Sequence, residues 1–136
     1  MGANNTDMAK GGGQDKKVIL VVEDSAIMRS FIVSALEALN NVNIAESANG
    51  FEAIKLLPRT QVSLLITDIN MPDINGLELV SFVRNHSLYK DIPIIIVTTE
   101  SSQEDRNRGL YLGANEYITK PFQNSRLLAA ARRLLR

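Results

Sequence analysis

The stretch that decides the fold is residues 18–25, Val-Ile-Leu-Val-Val-Glu-Asp-Ser. Its five consecutive apolar residues are typical of a strand that is buried on both faces of a parallel sheet. Ser25 is a candidate N-cap, and beyond it apolar residues recur at helical spacing as far as Leu39. The helix is predicted to end at Asn40-Asn41. The stretch therefore predicts a strand that leads through an acidic turn into a helix.

The same strand–helix unit recurs about five times along the chain. Further strands are predicted at 42–46, 62–67, 94–98 and 115–119. Helices are predicted to follow them, at 49–57, at 77–83, at 102–112 with Ser101 and Glu104 at capping-box spacing, and at 124–136. Short connections between alternating strands and helices favour a parallel sheet covered by helices on both faces. We therefore predict a single doubly wound α/β domain over residues 18–136.

Composition narrows the classes of function. The chain has 136 residues with 15 basic and 15 acidic side chains, so bulk electrostatics do not favour direct binding of nucleic acid. It has no cysteine and a single histidine, His86, which excludes disulfides, thiolate catalysis and Cys- or His-cluster metal sites. No apolar run is long enough to cross a membrane. We expect a cytoplasmic protein with a flexible polar tail over residues 1–17.

Chemically capable side chains follow the predicted strands, at the point where each strand ends. Glu23 and Asp24 follow the first strand, and Asp68 follows the third. Thr98 ends the fourth strand and Lys120 follows the fifth. The carboxyl ends of parallel strands share one edge of the sheet, where ligands of open α/β sheets bind. Three carboxylates, a hydroxyl and an ammonium group are therefore predicted to converge.

This set of groups suits phosphoryl transfer. Clustered carboxylates repel each other unless a cation is present, and oxygen ligands suit Mg²⁺. A carboxylate can act as a nucleophile, so Asp68 is a candidate for an aspartyl phosphate. The metal and Lys120 would neutralise charge on the transferring oxygens, and Thr98 could hydrogen-bond the product.

The residues resemble the response-regulator receiver domains (CheY-like) of two-component signalling, from about Lys17 to the C-terminus. Glu23-Asp24-Ser25 resembles the acidic pair of that family, and residues 67–76, Thr-Asp-Ile-Asn-Met-Pro-Asp-Ile-Asn-Gly, resemble its phosphoacceptor strand and loop. Thr98-Thr99-Glu100 resembles the switch-hydroxyl segment. The segment from Gly113 through Tyr117 to Lys120-Pro121-Phe122 resembles the last block.

The resemblance implies a flavodoxin-like sheet of order 2-1-3-4-5 and a role for each matching residue. Asp68 would be phosphorylated, and Lys120 would contact the phosphoryl group and precede a cis peptide bond at Pro121. Mg²⁺ would be held by Asp24, Asp68 and the main-chain carbonyl of Asn70, with Glu23 acting through a metal-bound water. Thr98 would move toward the phosphoryl group and Tyr117 would turn inward behind it.

The resemblance also implies partners. The phosphoryl donor would be a histidine kinase or a histidine phosphotransfer protein, and an output protein would bind the face built from the fourth helix, fifth strand and fifth helix. We expect a signalling module without an output domain that is not an enzyme, although it promotes its own phosphorylation and dephosphorylation. A monomer is expected, with dimerisation on phosphorylation as a further option.

Three other interpretations stay open from the sequence. The chain could be a receiver fragment of a larger regulator or kinase. It could be a phosphatase with an aspartyl nucleophile, but such enzymes want a general acid two residues after the nucleophile, where Asn70 stands. It could bind a flavin cofactor, although Glu23 and Asp24 would repel its phosphate.

Four arginines in the last helix either complement the helix C-terminus or offer a docking face to an acidic partner: Arg126, Arg132, Arg133 and Arg136.

Overall fold

A computed structural model describes residues 16–136 of the protein. Five strands alternate with five helices in chain order: β1 (Lys17–Val22), α1 (Ala26–Leu36), β2 (Val42–Ser47), α2 (Gly50–Leu56), β3 (Val62–Thr67), α3 (Gly76–Arg84), β4 (Ile94–Thr98), α4 (Gln103–Leu112), β5 (Glu116–Thr119) and α5 (Asn124–Leu134). None of the helices in this part of the chain is long and apolar enough to span a membrane.

The five strands form one parallel sheet in the order β2-β1-β3-β4-β5. This arrangement confirms the predicted doubly wound α/β fold and the order 2-1-3-4-5. Strand β3 lies between β1 and β4, so the residue that follows it stands at the centre of the carboxyl edge.

Two apolar layers enclose the sheet, because alternate residues of each buried strand point to opposite faces. On one face Leu20, Leu65 and Ile96 pack with buried residues of α2 and α3. On the other face Ile19 and Ile66 belong to the layer that includes buried residues of α1 and α5. Each fully buried aliphatic side chain stabilises the fold by about 1.5–3 kcal/mol. The two layers therefore fix the positions of the strands relative to one another.

Several predicted boundaries were wrong by one to three residues. Helix α1 ends at Leu36 rather than Leu39, and Asn41 takes a positive φ of 59°, which Asn tolerates better than most residues. Strand β1 begins at Lys17, one residue inside the predicted tail, while residues 1–15 of that tail lie outside the described residues.

The predicted capping box of α4 was also wrong. Ser102, not Ser101, is the N-cap, and its hydroxyl accepts the Asp105 N–H at 3.0 Å while donating to Asp105 Oδ2 at 2.7 Å. Ser102 makes two hydrogen bonds with Asp105, and these favour Ser102 as the cap over the predicted pairing of Ser101 with Glu104. The capping box that the structure does contain opens α3, where Asn75 and Glu78 cap each other.

Candidate functional site

The acidic residues are fixed by main-chain hydrogen bonds between neighbouring strands. The Asp68 N–H donates to the Val22 carbonyl at 3.2 Å, and the Glu23 N–H donates to the Ser47 carbonyl at 3.1 Å. These bonds continue the ladders of the sheet beyond the ends of β1 and β3. The main chains of Glu23 and Asp68 are therefore fixed relative to the neighbouring strands.

The structure brings the three carboxylates together as a cluster. One carboxylate oxygen from each of Glu23, Asp24 and Asp68 lies within 4.8 Å of the others. Glu23 is 1% exposed and Asp68 is 7% exposed, whereas Asp24 faces solvent. An all-oxygen donor set with one open side fits a hard divalent cation such as Mg²⁺, which keeps several waters.

Lys120 lies between two of these carboxylates. Its Nζ is 2.7 Å from Glu23 Oε1 and 2.9 Å from Asp68 Oδ2, and all three side chains are buried. The Lys120 N–H donates to the Thr98 carbonyl at 2.8 Å, and the Lys120–Pro121 peptide bond is cis. The ammonium group is therefore held at the carboxyl edge from both its backbone and its side chain.

Burial and ion pairing have opposite effects on the pKa values of Glu23 and Lys120. Burial raises the pKa of Glu23, and the Lys120 contact and the Ser25 N–H offset only part of this effect. Burial alone would lower the pKa of Lys120, but its hydrogen bonds to Glu23 and Asp68 raise the pKa above its ordinary value. Lys120 thus carries a firm positive charge next to Asp68.

The loop after β3 holds the side chain and the backbone of Asp68 in place. Asp68 Oδ1 accepts the N–H groups of Ile69 at 2.6 Å and Asn70 at 3.3 Å. The Gly76 N–H donates to the Ile69 carbonyl at 2.9 Å, and a Cβ at Gly76 would stand only 1.9 Å from the Asp68 carbonyl oxygen. Only glycine fits this approach, so the start of α3 is packed directly against the backbone of Asp68.

The β4–α4 loop connects the acidic cluster to Tyr117. Asn70 Nδ2 donates to Glu100 Oε2 at 2.8 Å, the Glu100 N–H donates to Thr98 Oγ1 at 3.3 Å, and Thr98 is fully buried. The Tyr117 hydroxyl donates to the Glu100 carbonyl at 2.6 Å. Glu100 thus touches all three of these residues.

The Tyr117 side chain points inward from β5. Its side chain is 2% exposed, and Arg106 lies over the ring at 5.6 Å and donates to the Tyr117 carbonyl at 3.2 Å. Burial, together with the nearby charges of Asp105 and Glu100, raises the pKa of Tyr117 to about 12. The tyrosine is therefore neutral in the fold at ordinary pH.

Sequence reasoning assigned no individual role to three residues that shape the site. Arg29 donates from Nη1 to the Glu23 carbonyl at 2.7 Å and from Nε to Glu46 Oε1 at 3.1 Å. Glu100 bridges Asn70 and Tyr117, and Gly76 supports Asp68. The Asn75-Gly76 pair with Glu78 was a readable signal of a helix start, but no local pattern reveals which strand end a distant arginine or glutamate will reach.

His86, Arg126 and Arg133 make contacts outside the acidic cluster. The His86 ring stacks on Tyr89 with centroids 4.3 Å apart, in the connection after α3 rather than at the carboxyl edge. Arg126 and Arg133 both form ion pairs with Glu116, so their charges are partly satisfied within the domain.

The sequence is similar to those of known proteins. The family model described as the response regulator receiver domain matches residues 19–132. The chain belongs to this family. The chemotaxis protein CheY homolog of Campylobacter jejuni is 47% identical over 105 residues, which cover 76% of this chain and 81% of that protein.

Solved structures of receiver domains share the fold. The chemotaxis protein CheY4 of Vibrio cholerae has a TM-score of 0.81 at 33% identity, over 88% of this chain and 99% of that chain. The receiver domain of a sensor histidine kinase from Pseudomonas aeruginosa has a TM-score of 0.79 at 27% identity, over 88% of this chain and 98% of that one. That structure has a magnesium ion coordinated in its active-site cleft. The resemblance to receiver domains of two-component signalling is thereby confirmed.

Proposed function

We propose that this receiver domain accepts a phosphoryl group on Asp68 from a phosphohistidine of a histidine kinase or histidine phosphotransfer protein. The observation that carries the proposal is the position of the Asp68 carboxylate, which lies in one cluster with Glu23 and Asp24 and is 2.9 Å from the buried ammonium group of Lys120. The module then controls a partner through its conformation.

The transfer uses few groups. A carboxylate oxygen of Asp68 attacks the phosphorus atom while the bond from phosphorus to the donor histidine nitrogen breaks, and the electron pair stays on that nitrogen. The product is an aspartyl phosphate. Lys120, 2.9 Å from Asp68 Oδ2, is within reach of the phosphoryl oxygens and offsets their charge. The Ile69 N–H keeps the carboxylate oriented through Oδ1.

The acidic cluster fits a magnesium site. The ligands would be the carboxylates of Asp24 and Asp68 and the main-chain carbonyl of Asn70, with Glu23 acting through a bound water. When bound, Mg²⁺ supplies positive charge to the phosphoryl oxygens during transfer. Without a cation, Asp24 and Asp68 repel an incoming phosphoryl group.

We further propose that the chain is a phosphoacceptor rather than an enzyme acting on external substrates, although it promotes its own phosphorylation and dephosphorylation. The position that a phosphatase would use for its general acid is occupied by Asn70. Its side-chain amide donates to Glu100 at 2.8 Å and cannot give a proton to a leaving group.

An apolar groove beside Lys120 supports the approach of a protein donor. The groove is lined by residues of α1, of the β5–α5 connection and of the start of α5: Met28, Phe31, Lys120, Pro121, Phe122 and Asn124. Ile27 and Phe31, four residues apart on α1, are 73% and 62% exposed. Exposed apolar side chains next to a reactive carboxylate favour docking of a helix that carries the donor histidine.

The output surface in this proposal is the face built from α4, β5 and α5. Tyr117 of β5 contacts Glu100 and Arg106, so a change at the end of β4 reaches this face through direct contacts. The output protein would recognise the altered position of α4.

Incubation with acetyl phosphate and Mg²⁺, followed by intact-mass spectrometry, tests the proposal. The wild-type protein should gain one phosphoryl group that is stable in acid and labile in base. Asp68→Asn should abolish this gain, whereas Asp73→Asn, in the same loop and at a positive φ of 66° that Asn tolerates, should leave it intact. Equal labelling of the Asp68→Asn variant and the wild type would refute the assignment.

A further inference from the structure

Arg84, the last residue of α3, is hydrogen-bonded through all three nitrogens of its guanidinium group. Nε donates to the Gly113 carbonyl at 3.0 Å, and Nη2 donates to Asn115 Oδ1 at 3.0 Å. Nη1 donates to the carbonyls of Lys90 at 2.9 Å and Ile92 at 2.6 Å. The planar guanidinium group holds these donors in one fixed geometry. A single side chain therefore joins the connection before β4 to the connection between α4 and β5.

The C-terminal end of α4 is also fixed by β4. The Asn115 N–H donates to the Ile94 carbonyl at 2.8 Å, and the Ile94 N–H donates to Asn115 Oδ1 at 2.8 Å. Gly113, which ends the helix, has a φ of 121°, and a Cβ there would lie 2.8 Å from Arg84 Cγ. Glycine thus permits both the turn and the close approach of the arginine. This end of α4 is bonded to an element on each side.

The N-terminal end of α4 has much weaker support. Residues 101–104 are exposed, and the buried residue of the helix is Gly109, in its last turn. The Ser102 cap bonds only to Asp105, within the same turn. Among residues 16–136, the hydrogen bond that links the side chains of 103–108 to another element runs from Arg106 to the Tyr117 carbonyl at 3.2 Å. A segment with so few buried contacts moves at low cost in free energy.

We propose that Arg84 hinges α4 at its C-terminal end, so that phosphorylation of Asp68 tilts the helix and displaces its N-terminal end. The proposal rests on the proposed function, because the phosphoryl group is what moves the β4–α4 loop. It adds where the response is largest. An output protein would then recognise the moved residues 103–108, while Gly113 keeps its place beside Arg84.

A hinge at one end predicts a displacement that grows along the helix. Helix α4 has 10 residues. At 1.5 Å per residue it is about 15 Å long, so a tilt of about 10° moves its first residue by about 2.5 Å. A residue in the last turn moves by less than about 1 Å under the same tilt. A helix that slides as a unit would instead move equally at both ends.

Distances between spin labels distinguish the two motions, and the absence of cysteine from the chain allows labels on introduced cysteines. Gln103→Cys and Tyr111→Cys mark the two ends of α4 at exposed positions. Each is paired with Lys55→Cys on α2 and, separately, with Arg132→Cys on α5, because these helices lie on opposite faces of the sheet. With Mg²⁺ and beryllofluoride, a phosphoryl mimic, we expect a shift of about 2 Å or more at residue 103 from at least one reference, and less than half of it at residue 111.

Two substitutions of Arg84 test the anchor itself. Arg84→Met removes all of the donors and retains an apolar side chain, and Arg84→Lys retains the charge but cannot reproduce the planar fork. Arg108→Met is the matched control, because Arg108 is an exposed arginine of α4 that forms no hydrogen bond through its side chain with any residue in the described range 16–136. Without beryllofluoride, amide exchange at residues 113–115 should accelerate about ten-fold or more in Arg84→Met and stay at the wild-type rate in Arg108→Met.

The response to beryllofluoride separates a hinge from general support of the fold. In Arg84→Met the label at residue 111 should move as far as the label at residue 103, whereas Arg108→Met should keep the wild-type difference. Should Arg84→Met fail to fold, Arg84→Lys provides the same readouts.

Equal movement of both labels in the wild type would overturn the hinge, as would wild-type exchange at residues 113–115 in the Arg84 variants. Binding of beryllofluoride is followed independently through the amide resonance of Asp68. If that resonance does not respond, the proposed function fails, and amide exchange still decides whether Arg84 anchors α4. If it responds while neither label moves, the hinge alone is wrong.

Discussion

The Tyr117 hydroxyl donates a 2.6 Å hydrogen bond to the main-chain oxygen of Glu100. This bond ties the middle of β5 to the loop that leads from β4 into α4. The amide of the same Glu100 donates to Thr98 Oγ1, so one residue contacts both the end of β4 and the tyrosine. The position of α4 is therefore coupled to the site through main-chain contacts at a single residue.

Replacing Tyr117 by Phe should loosen this coupling without affecting the chemistry. We expect a loss of about 1 kcal/mol in the free energy of unfolding, because the Glu100 carbonyl loses its donor. Amide hydrogen exchange over residues 100–112 should accelerate, while phosphorylation of Asp68 stays at the wild-type level. Tyr111→Phe, at a side chain that is 89% exposed, is the control and should change neither measurement. Unchanged exchange in Tyr117→Phe would contradict the coupling.

The raised pKa of Tyr117 gives a pH dependence of known sign. The folded protein binds the phenolic proton up to a pKa of about 12, whereas the unfolded chain releases it near the ordinary value of about 10. The stabilisation from neutral Tyr117 is therefore complete below about pH 10 and is lost as the pH rises toward 12. Absorbance titration of tyrosinate should show a late step in the wild type that is missing in Tyr117→Phe but present in Tyr111→Phe.

Gly76 should not tolerate a methyl group. A Cβ there would lie 1.9 Å from the Asp68 carbonyl oxygen, and a backbone atom in the register of β3 cannot move away cheaply. We expect Gly76→Ala to destabilise the fold by about 3 kcal/mol or more in urea unfolding. Gly109→Ala is a milder comparison, because its Cβ would meet the Ile96 side chain at 2.9 Å. Equal stability of the two variants would disprove the role of Gly76.

Removing the exposed carboxylate of Asp24 should separate metal binding from stability. In Asp24→Ala the free energy of unfolding without Mg²⁺ should stay equal or rise, since like-charge repulsion with Glu23 and Asp68 is relieved. The increase in melting temperature that Mg²⁺ gives the wild type should shrink, because binding to the folded state is the source of that increase. Mg²⁺ stabilisation equal to that of the wild type would exclude Asp24 as a ligand.

The doubly wound class of the fold and the site residues at the strand ends could be predicted because they depend on local signals, whereas the order of the strands rested on the resemblance to receiver domains. Apolar runs such as 18–22 and 94–98 report burial on both faces, and parallel strands bring their carboxyl ends to one edge wherever the chain goes next. The amino-acid sequence alone therefore sufficed to place Asp68 and Lys120 at one edge of the sheet.

The partners of those residues could not be predicted in the same way. The contact from Glu23 to Lys120 joins residues 97 positions apart, and it depends on side-chain rotamers at the ends of two separate strands. The periodicity of apolar residues carries no information about contacts between residues so far apart in sequence. The shift of the α4 cap from Ser101 to Ser102 has the same origin, since two adjacent serines offer the same hydroxyl and only the placement of Asp105 decides between them.

Thr98→Ala should separate phosphorylation from the response of α4. Thr98 is fully buried at the end of β4, and its hydroxyl accepts from the amide of Glu100, which also holds Tyr117. A phosphoryl group on Asp68 offers this hydroxyl a new acceptor, so the loop is biased toward a second position. In the wild type, beryllofluoride, a phosphoryl mimic, should shift amide resonances across residues 102–122. In Thr98→Ala the protein should still accept phosphate, but these shifts should be confined to the loops around Asp68.

Thr99→Ala, at the exposed neighbouring threonine, is the control and should respond like the wild type. If the Thr98→Ala variant keeps the full set of shifts over α4 and β5, the signal leaves the site through the Asn70–Glu100 hydrogen bond instead, and the hydroxyl is dispensable.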